Sequence, residues 1–230
     1  MAAERIDSLT GLRFFAAFGI LVHHFGSSLA CGSPRLEVFL ESLSSCVSFF
    51  FVLSGFILVH SYQATTRRLE WRAFMAARIA RIYPLYLLAL LVMSVPFLKY
   101  PVELPDWKPW EALPAYLASL FAVQSWIPRY SMLLNSPGWS LSAEMFFYAV
   151  FPIVAWRWRS FLFGRPLAAM SLFWVVSCLL GLILEATGIG DRSVSDSGAK
   201  FAGFHPLVRL PEFLMGMSLA ALHSRRLVSG

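Results

Sequence analysis

Apolar runs long enough to cross a bilayer alternate along this chain with short stretches that gather its charged residues. A hydrocarbon core of ~30 Å takes about 20 residues of helix. Residues 12–30, 46–62, 82–98, 139–156 and 166–186 meet or approach that length, and 207–222 form a shorter run that contains Arg209 and Glu212. Residues 113–127 are apolar but short, with Pro114 at their start and Trp110 and Trp126 around them. They predict a span, a re-entrant segment or a helix lying in the interface. The expected fold is all-α: a polytopic transmembrane helical bundle of about six spans plus a short re-entrant or interfacial segment.

Composition removes the soluble alternative. Of 230 residues, 58% are hydrophobic and only 14% charged, with a mean hydropathy of +0.65; a soluble domain carries about 25% charge. The excess of 19 Lys+Arg over 13 Asp+Glu does not point to nucleic acid, because the basic residues alternate with apolar stretches instead of forming one patch. Cys31, Cys46 and Cys178 have neither CxxC pairing nor metal-ligand spacing and read as small packed residues, with a bridge between Cys31 and Cys46 open. Ser-Leu-Ala-Cys31 faintly resembles a lipoprotein cleavage site. Ser28 stands where leucine is expected, however, and His23-His24 interrupt the apolar core, so the segment reads as a retained span.

Positive charge orients the spans. With a cytoplasmic N-terminus and a non-crossing 113–127 segment, the inside collects twelve arginines: 5, 13, 67, 68, 72, 78, 81, 157, 159, 165, 225 and 226. The outside keeps six basic residues: Arg35, Lys99, Lys108, Arg129, Arg192 and Lys200. If 113–127 crossed, Arg157, Arg159 and Arg165 would move outside and weaken the asymmetry. The stretch 191–198 reads as an external loop.

Ionisable groups inside spans are costly and mark function. Arg13 and His24 are eleven helical steps apart, almost three whole turns, so both project from one face, ~16 Å apart along the axis, while His23 points about 100° away. His24 can act as a general base near neutral pH, or it can be a histidine hydrogen-bonded to a neighbouring helix. In Arg78-Ile-Ala-Arg81-Ile-Tyr-Pro84 the two arginines share a helix face, and Pro84 suits the start of the following span. They form either a phosphate-binding pair for a nucleotide-like ligand or an orientation and lipid-headgroup signal. Ser140, Glu144 and Tyr148 recur every four residues along a polar stripe. Glu144, about one turn inside the outer boundary, would meet His24 or an external hydroxyl, or pair with a nearby basic group. The Ser54-Gly55 step suits close helix packing. Arg209 and Glu212 are expected to pair, and His60, His205 and His223 are expected to be solvated.

The order Arg13-x10-His24, Phe-Phe-Val-Leu-Ser-Gly55-Phe, Arg78-x-x-Arg81-Ile-x-Pro, Trp139-Ser-Leu-Ser-x-Glu144-x-Phe-Tyr and Glu212-Phe-Leu-x-Gly216 resembles the acyltransferase-3 family. Five motifs in that order reach from Arg13 to Gly216. The resemblance implies a multi-span inner-membrane O-acyltransferase that moves an acetyl group from cytosolic acetyl-CoA to a hydroxyl of a surface carbohydrate or glycolipid acceptor. Members of that family usually have more spans than this chain offers. Residues 1–230 therefore read as a single, partial membrane acyltransferase-like domain, its C-terminal spans missing. Met145 stands where the family often has a second acidic or aromatic residue.

Taken together, Arg78 and Arg81 would hold the charged end of acetyl-CoA, whose pantetheine arm would run past Arg13 toward His24. His24 would deprotonate the acceptor hydroxyl or carry the acyl group. Glu144 would orient the histidine or the acceptor, with Ser140 and Tyr148 in the acceptor's path, and the chemistry needs no metal. The alternatives are a transporter or flippase-like subunit that uses buried His and Glu as a proton relay, and an inactive scaffold of the same fold.

Overall fold

The computed structural model describes residues 7–26, 33–62, 70–99, 108–191, 193 and 196–229. Among them are ten α-helices and no strand: α1 (Asp7–Phe25), α2 (Pro34–Ser42), α3 (Ser45–Tyr62), α4 (Trp71–Lys99), α5 (Ala112–Leu120), α6 (Gly138–Arg157), α7 (Arg159–Gly164), α8 (Pro166–Ala186), α9 (Asp196–Phe204) and α10 (Pro206–Ser229). Four stretches are long and apolar enough to cross a membrane: Pro34–Tyr62, Trp71–Val95, Gly138–Arg157 and Pro166–Ala186. The apolar part of α1, Gly11–Phe25, is shorter, and residues 27–32, including Cys31, lie outside the described residues. The chain clusters into two compact units. One comprises Met1–Thr66, Trp158–Val176 and Pro211–Gly230; the other comprises Arg67–Arg157 and Ser177–Leu210.

In the first unit, α3 and α10 touch backbone to backbone. A Cβ on Gly55 would collide with the Phe213 carbonyl, and one on Gly216 with the Val52 carbonyl. Hydrophobic burial does not drive helices together in lipid, so close approach and van der Waals contact must do so. Phe51, Phe213 and Met217 fill the surrounding core. Gly19 of α1 gives the same access to α3, where an added Cβ would lie 2.6 Å from the Cys46 sulfur. Helix α2 begins with Ser33-Pro34 and Glu37 in its first turn. Proline is pre-set for a first helical turn and an acid there favours the helix dipole, a signal the hydropathy pattern hides.

The second unit corrects three sequence expectations. Helix α4 begins at Trp71, so the Arg78–Arg81 pair lies within it and Pro84 is interior rather than first; apolar helices tolerate such a proline because local adjustments re-satisfy the freed carbonyl. The last three residues of the loop expected over 191–198 are helical: α9 starts at Asp196, which pairs with Lys200 one turn on at 2.6 Å. An acid in the first turn with an i,i+4 cation favours a helix start there. The third correction concerns histidine. His205 is only 8% exposed, its Nδ1 accepts the Leu207 backbone N–H at 3.3 Å, and it stands as the residue before α10. In the first unit, His60 and His223 are likewise half-buried, against Phe56.

The 113–127 segment is a nine-residue helix, α5, followed by short 3-10 turns. Nine residues rise about 14 Å, far less than the hydrocarbon core, so α5 does not cross it. Its C-terminus closes with paired bonds from Ala122 N to Ser119 O and Val123 N to Ala118 O, and Ala122 takes the left-handed conformation, φ 52°, that such an ending demands. Tyr83 of α4 donates its hydroxyl to the Leu120 carbonyl, an acceptor that a helix end leaves open, and Tyr86 donates to the Ser119 carbonyl, which also takes the Ala122 N–H.

Candidate active site

In the first unit, Arg13 and His24 stand on one unbroken helix, so their eleven-residue spacing is a real shared face. The Arg13 guanidinium lies 5.9 Å from the centroid of the Phe50 ring, and its buried Nε has no hydrogen-bond partner among the described residues. The two histidines are held differently. His23 Nδ1–H donates to the Leu40 carbonyl of α2 at 2.9 Å, which assigns that ring a structural task. The half-buried His24 ring meets the His23 ring edge to face at 5.2 Å, and no hydrogen bond occupies its nitrogens among the described residues. The bond to Leu40 fixes His23 in its Nδ1–H tautomer, while His24 stands on the helix face that carries Arg13.

Glu212, 8% exposed in α10, accepts a hydrogen bond from Ser48 Oγ of α3 at 3.0 Å. The Gly55 and Gly216 contacts bring these two helices close enough for that bond. Sequence reasoning missed Ser48, because nothing local marks a serine whose partner lies 164 residues away.

In the second unit, α4 and α6 bring together three of the expected site residues. The Arg78 guanidinium packs over the Phe74 ring at 5.3 Å and the Tyr148 ring at 5.7 Å, a favourable cation–π placement. The Tyr148 hydroxyl donates to Oε1 of Glu144 one turn earlier on α6. Trp71 Nε1–H donates to the Ala149 carbonyl at 3.0 Å, and Phe74 packs on Phe151 at 5.5 Å. These contacts fix the register of the two helices. Arg78 is half-buried, whereas Arg81, three residues on, is exposed. Ser140 Oγ donates to the Pro137 carbonyl at 3.0 Å, closing the turn that starts α6.

A buried polar network supports that helix start. Gln124 Nε2 donates to the Gly138 carbonyl at 2.8 Å and to the Tyr86 hydroxyl at 3.2 Å, and Ser125 Oγ donates to Ser142 Oγ at 2.7 Å. Gln124 is 2% exposed. Buried amides and hydroxyls paired in this way specify one arrangement, here the placement of the α6 end that carries Ser140 and Glu144. Arg209 Nε–H donates to the Gly203 carbonyl at 2.7 Å, and its guanidinium lies 5.9 Å from the centroid of the Trp139 ring. Among the described residues, no group of three or more His, Cys, Asp or Glu is placed to hold a metal ion.

No solved structure matches the chain. Among characterised proteins it is 30% identical to the acyltransferase MdmB of Streptomyces mycarofaciens, over 95% of this chain and 57% of that protein. It is 28% identical to the O-acetyltransferase OatA of Staphylococcus aureus, over 94% of this chain and 34% of that protein, and 34% identical to protein 2 in the picA locus of Rhizobium radiobacter, over 64% and 81%. The chain thus spans little more than half the length of the Streptomyces protein and about a third of the staphylococcal one. The acyltransferase domain family covers residues 6–229, which include every motif from Arg13 to Gly216, and the chain belongs to this acyltransferase-3 family.

Proposed function

We propose that residues 1–230 form a single membrane acyltransferase-like domain that transfers an acetyl group from cytosolic acetyl-CoA to a hydroxyl of a carbohydrate or glycolipid beyond the membrane. The chain sits in the inner (plasma) membrane with its N-terminus in the cytoplasm. The observation that carries this reading is the common face of Arg13 and His24 on one unbroken helix, from which His23, tied through Nδ1 to Leu40, points away. His24 takes the proton of the acceptor hydroxyl as its oxygen attacks the thioester carbonyl. The tetrahedral adduct collapses, the C–S bond breaks, and the departing CoA thiolate recovers the proton from the imidazolium. Arg78 and Arg81 bind the phosphates of the donor, Arg13 lies along the path of its pantetheine arm, and Glu144, with Ser140 and Tyr148, orients the acceptor.

The names of two relatives, an acyltransferase and an O-acetyltransferase, support the reaction class. Transfer from labelled acetyl-CoA in isolated membranes tests the assignment. His24→Ala is expected to abolish transfer with insertion and CoA binding intact, whereas His23→Ala keeps it. Equal transfer by His24→Ala and the parent protein at equal level would remove the base and favour a transporter or an inactive scaffold. A reporter fused after Arg159 reads cytoplasmic if the orientation holds, and an external reading there reverses it.

A further inference from the structure

Helix α5 and the turns at its two ends are built inside out. The covered side is small: Ala115, Ala118, Ser119 and Ala122 are each at most 5% exposed. Trp110, Leu113, Leu117 and Phe121 form an outward ridge at helical spacing, 41–70% exposed. A contiguous apolar ridge of this size calls for a non-aqueous neighbour.

Its depth follows from its partners. At the C-terminal end of α5 the Leu120 and Ser119 carbonyls take the hydroxyls of Tyr83 and Tyr86. Those tyrosines lie inside the apolar stretch of α4, twelve and nine residues before its end at Val95, which is about 18 and 14 Å along a helix. The other end of α5 gathers charge. Arg129 donates to Oε2 of Glu111 at 2.7 Å, and Lys108 Nζ lies 5.4 Å from the centroid of the Trp110 ring. The nine residues of α5 rise about 14 Å, the distance from the tyrosines back to the edge of the hydrocarbon. The Arg129–Glu111 pair also returns the chain to the level at which the helix began. We propose that residues 110–129 form a re-entrant hairpin, which enters the leaflet at the Val95 end of α4 and turns at Phe121–Val123 with its ridge against acyl chains.

Irregular backbone persists at that depth only when its polar groups are paired within protein, and the turn meets that demand. The N–H groups of Phe121, Ala122 and Val123 bond to the carbonyls of Leu117, Ser119 and Ala118, and Ala122, Gln124 and Ser125 are at most 3% exposed. The two tyrosine hydroxyls do for the last carbonyls what water does at a helix end in solution. Tryptophan beside lysine suits the headgroup level. Gln124 and Ser125 of the return leg bond to Gly138 and Ser142, so α6 starts below the headgroups. That an acceptor hydroxyl must descend to Glu144 rests on the proposed function; the hairpin does not.

The test places one nitroxide at a time on the full chain, freed of native thiols by Cys31→Ser, Cys46→Ala and Cys178→Ala, in vesicles of phosphatidylcholine and phosphatidylglycerol. Trp110→Cys, Leu113→Cys, Leu117→Cys, Phe121→Cys and Ile127→Cys are labelled in turn, and relaxation by oxygen and by a water-soluble nickel chelate reads depth. Depth is expected to increase by about 15 Å from 110 to 121, the rise of the helix, and to decrease again at 127. Equal depth at all five positions would lay the helix flat in the interface and overturn the hairpin. Low collision with both reagents at 117 and 121 would put protein instead of lipid on the ridge and overturn it as well. A membrane-impermeant maleimide gives a second reading in cells, without purification. Lys108→Cys and Tyr130→Cys, which flank the hairpin, should both react in intact cells. Reaction of both only after lysis supports the hairpin and reverses the proposed orientation, whereas reaction of one before lysis and the other only after it would make the segment a crossing span and overturn the proposal.

Discussion

Tyr148 serves Arg78 and Glu144 at once: its ring lies under the Arg78 guanidinium and its hydroxyl is hydrogen-bonded to the Glu144 carboxylate. A cation and an anion that the sequence separates by most of two helices are thus joined through one aromatic side chain. Tyr148→Phe isolates the hydroxyl, since the ring remains. The loss of a hydrogen bond to a charged group, about 1.5–3 kcal/mol, should appear as a lower transfer rate with the KM for acetyl-CoA nearly unchanged. Tyr148→Leu should raise that KM as well. Steady-state kinetics in membranes separate the two, and an identical profile for both variants would show that the ring contact has no part in holding Arg78.

Arg78 and Arg81 differ in surroundings, one packed on aromatic rings and one exposed. Arg78→Ala and Arg81→Ala should each weaken acetyl-CoA binding by about 1.5–3 kcal/mol, the range for a charge-assisted hydrogen bond. Lysine should rescue Arg81 better than Arg78, because only the latter uses a flat guanidinium against a ring. Equilibrium binding of CoA reads this directly, and unchanged affinity in both alanine variants leaves the pair an orientation signal.

The Gly216 contact leaves no space for a side chain, since the Val52 carbonyl occupies the position of a Cβ. Gly216→Val should force α3 and α10 apart, costing at least about 1–3 kcal/mol, as overpacking does, and should weaken the Ser48–Glu212 bond. Thermal unfolding in detergent measures it. Gly203, with nothing near its absent Cβ, should accept alanine with little change.

His205, at the start of α10, has its pKa held below the usual 6.5, chiefly by burial. Its Nδ1 accepts a backbone N–H and must be unprotonated to do so, and Trp126 and Phe201 pack against the ring at 5.1 and 4.6 Å. With the folded pKa depressed, the unfolded chain binds the proton first. The stability contribution is therefore complete above pH 6.5 and is lost as pH falls through the lower folded value. The melting temperature should drop across that window in the parent protein and less in His205→Asn, which keeps a capping oxygen. Parallel pH profiles would remove the histidine from the transition.

Local chemistry by itself determined the helical class, the course of α3, α6 and α8, and the common face of Arg13 and His24. Insertion into lipid depends on the apolarity of a contiguous run, and the pitch of a helix follows from its backbone. Composition also hid features, because α2, α7 and α9 are short, and α2 and α9 start from first-turn residues that hydropathy does not weigh. The partners were decided by tertiary packing. Leu40 takes the hydrogen of His23, Ser48 finds Glu212 across a glycine crossing, and tyrosines of α4 close the end of α5. Each of these bonds joins groups 17 to 164 residues apart. The side chains carry no mark of one another in the sequence, and only the burial that removes water obliges each polar group to find the partner that packing brings near.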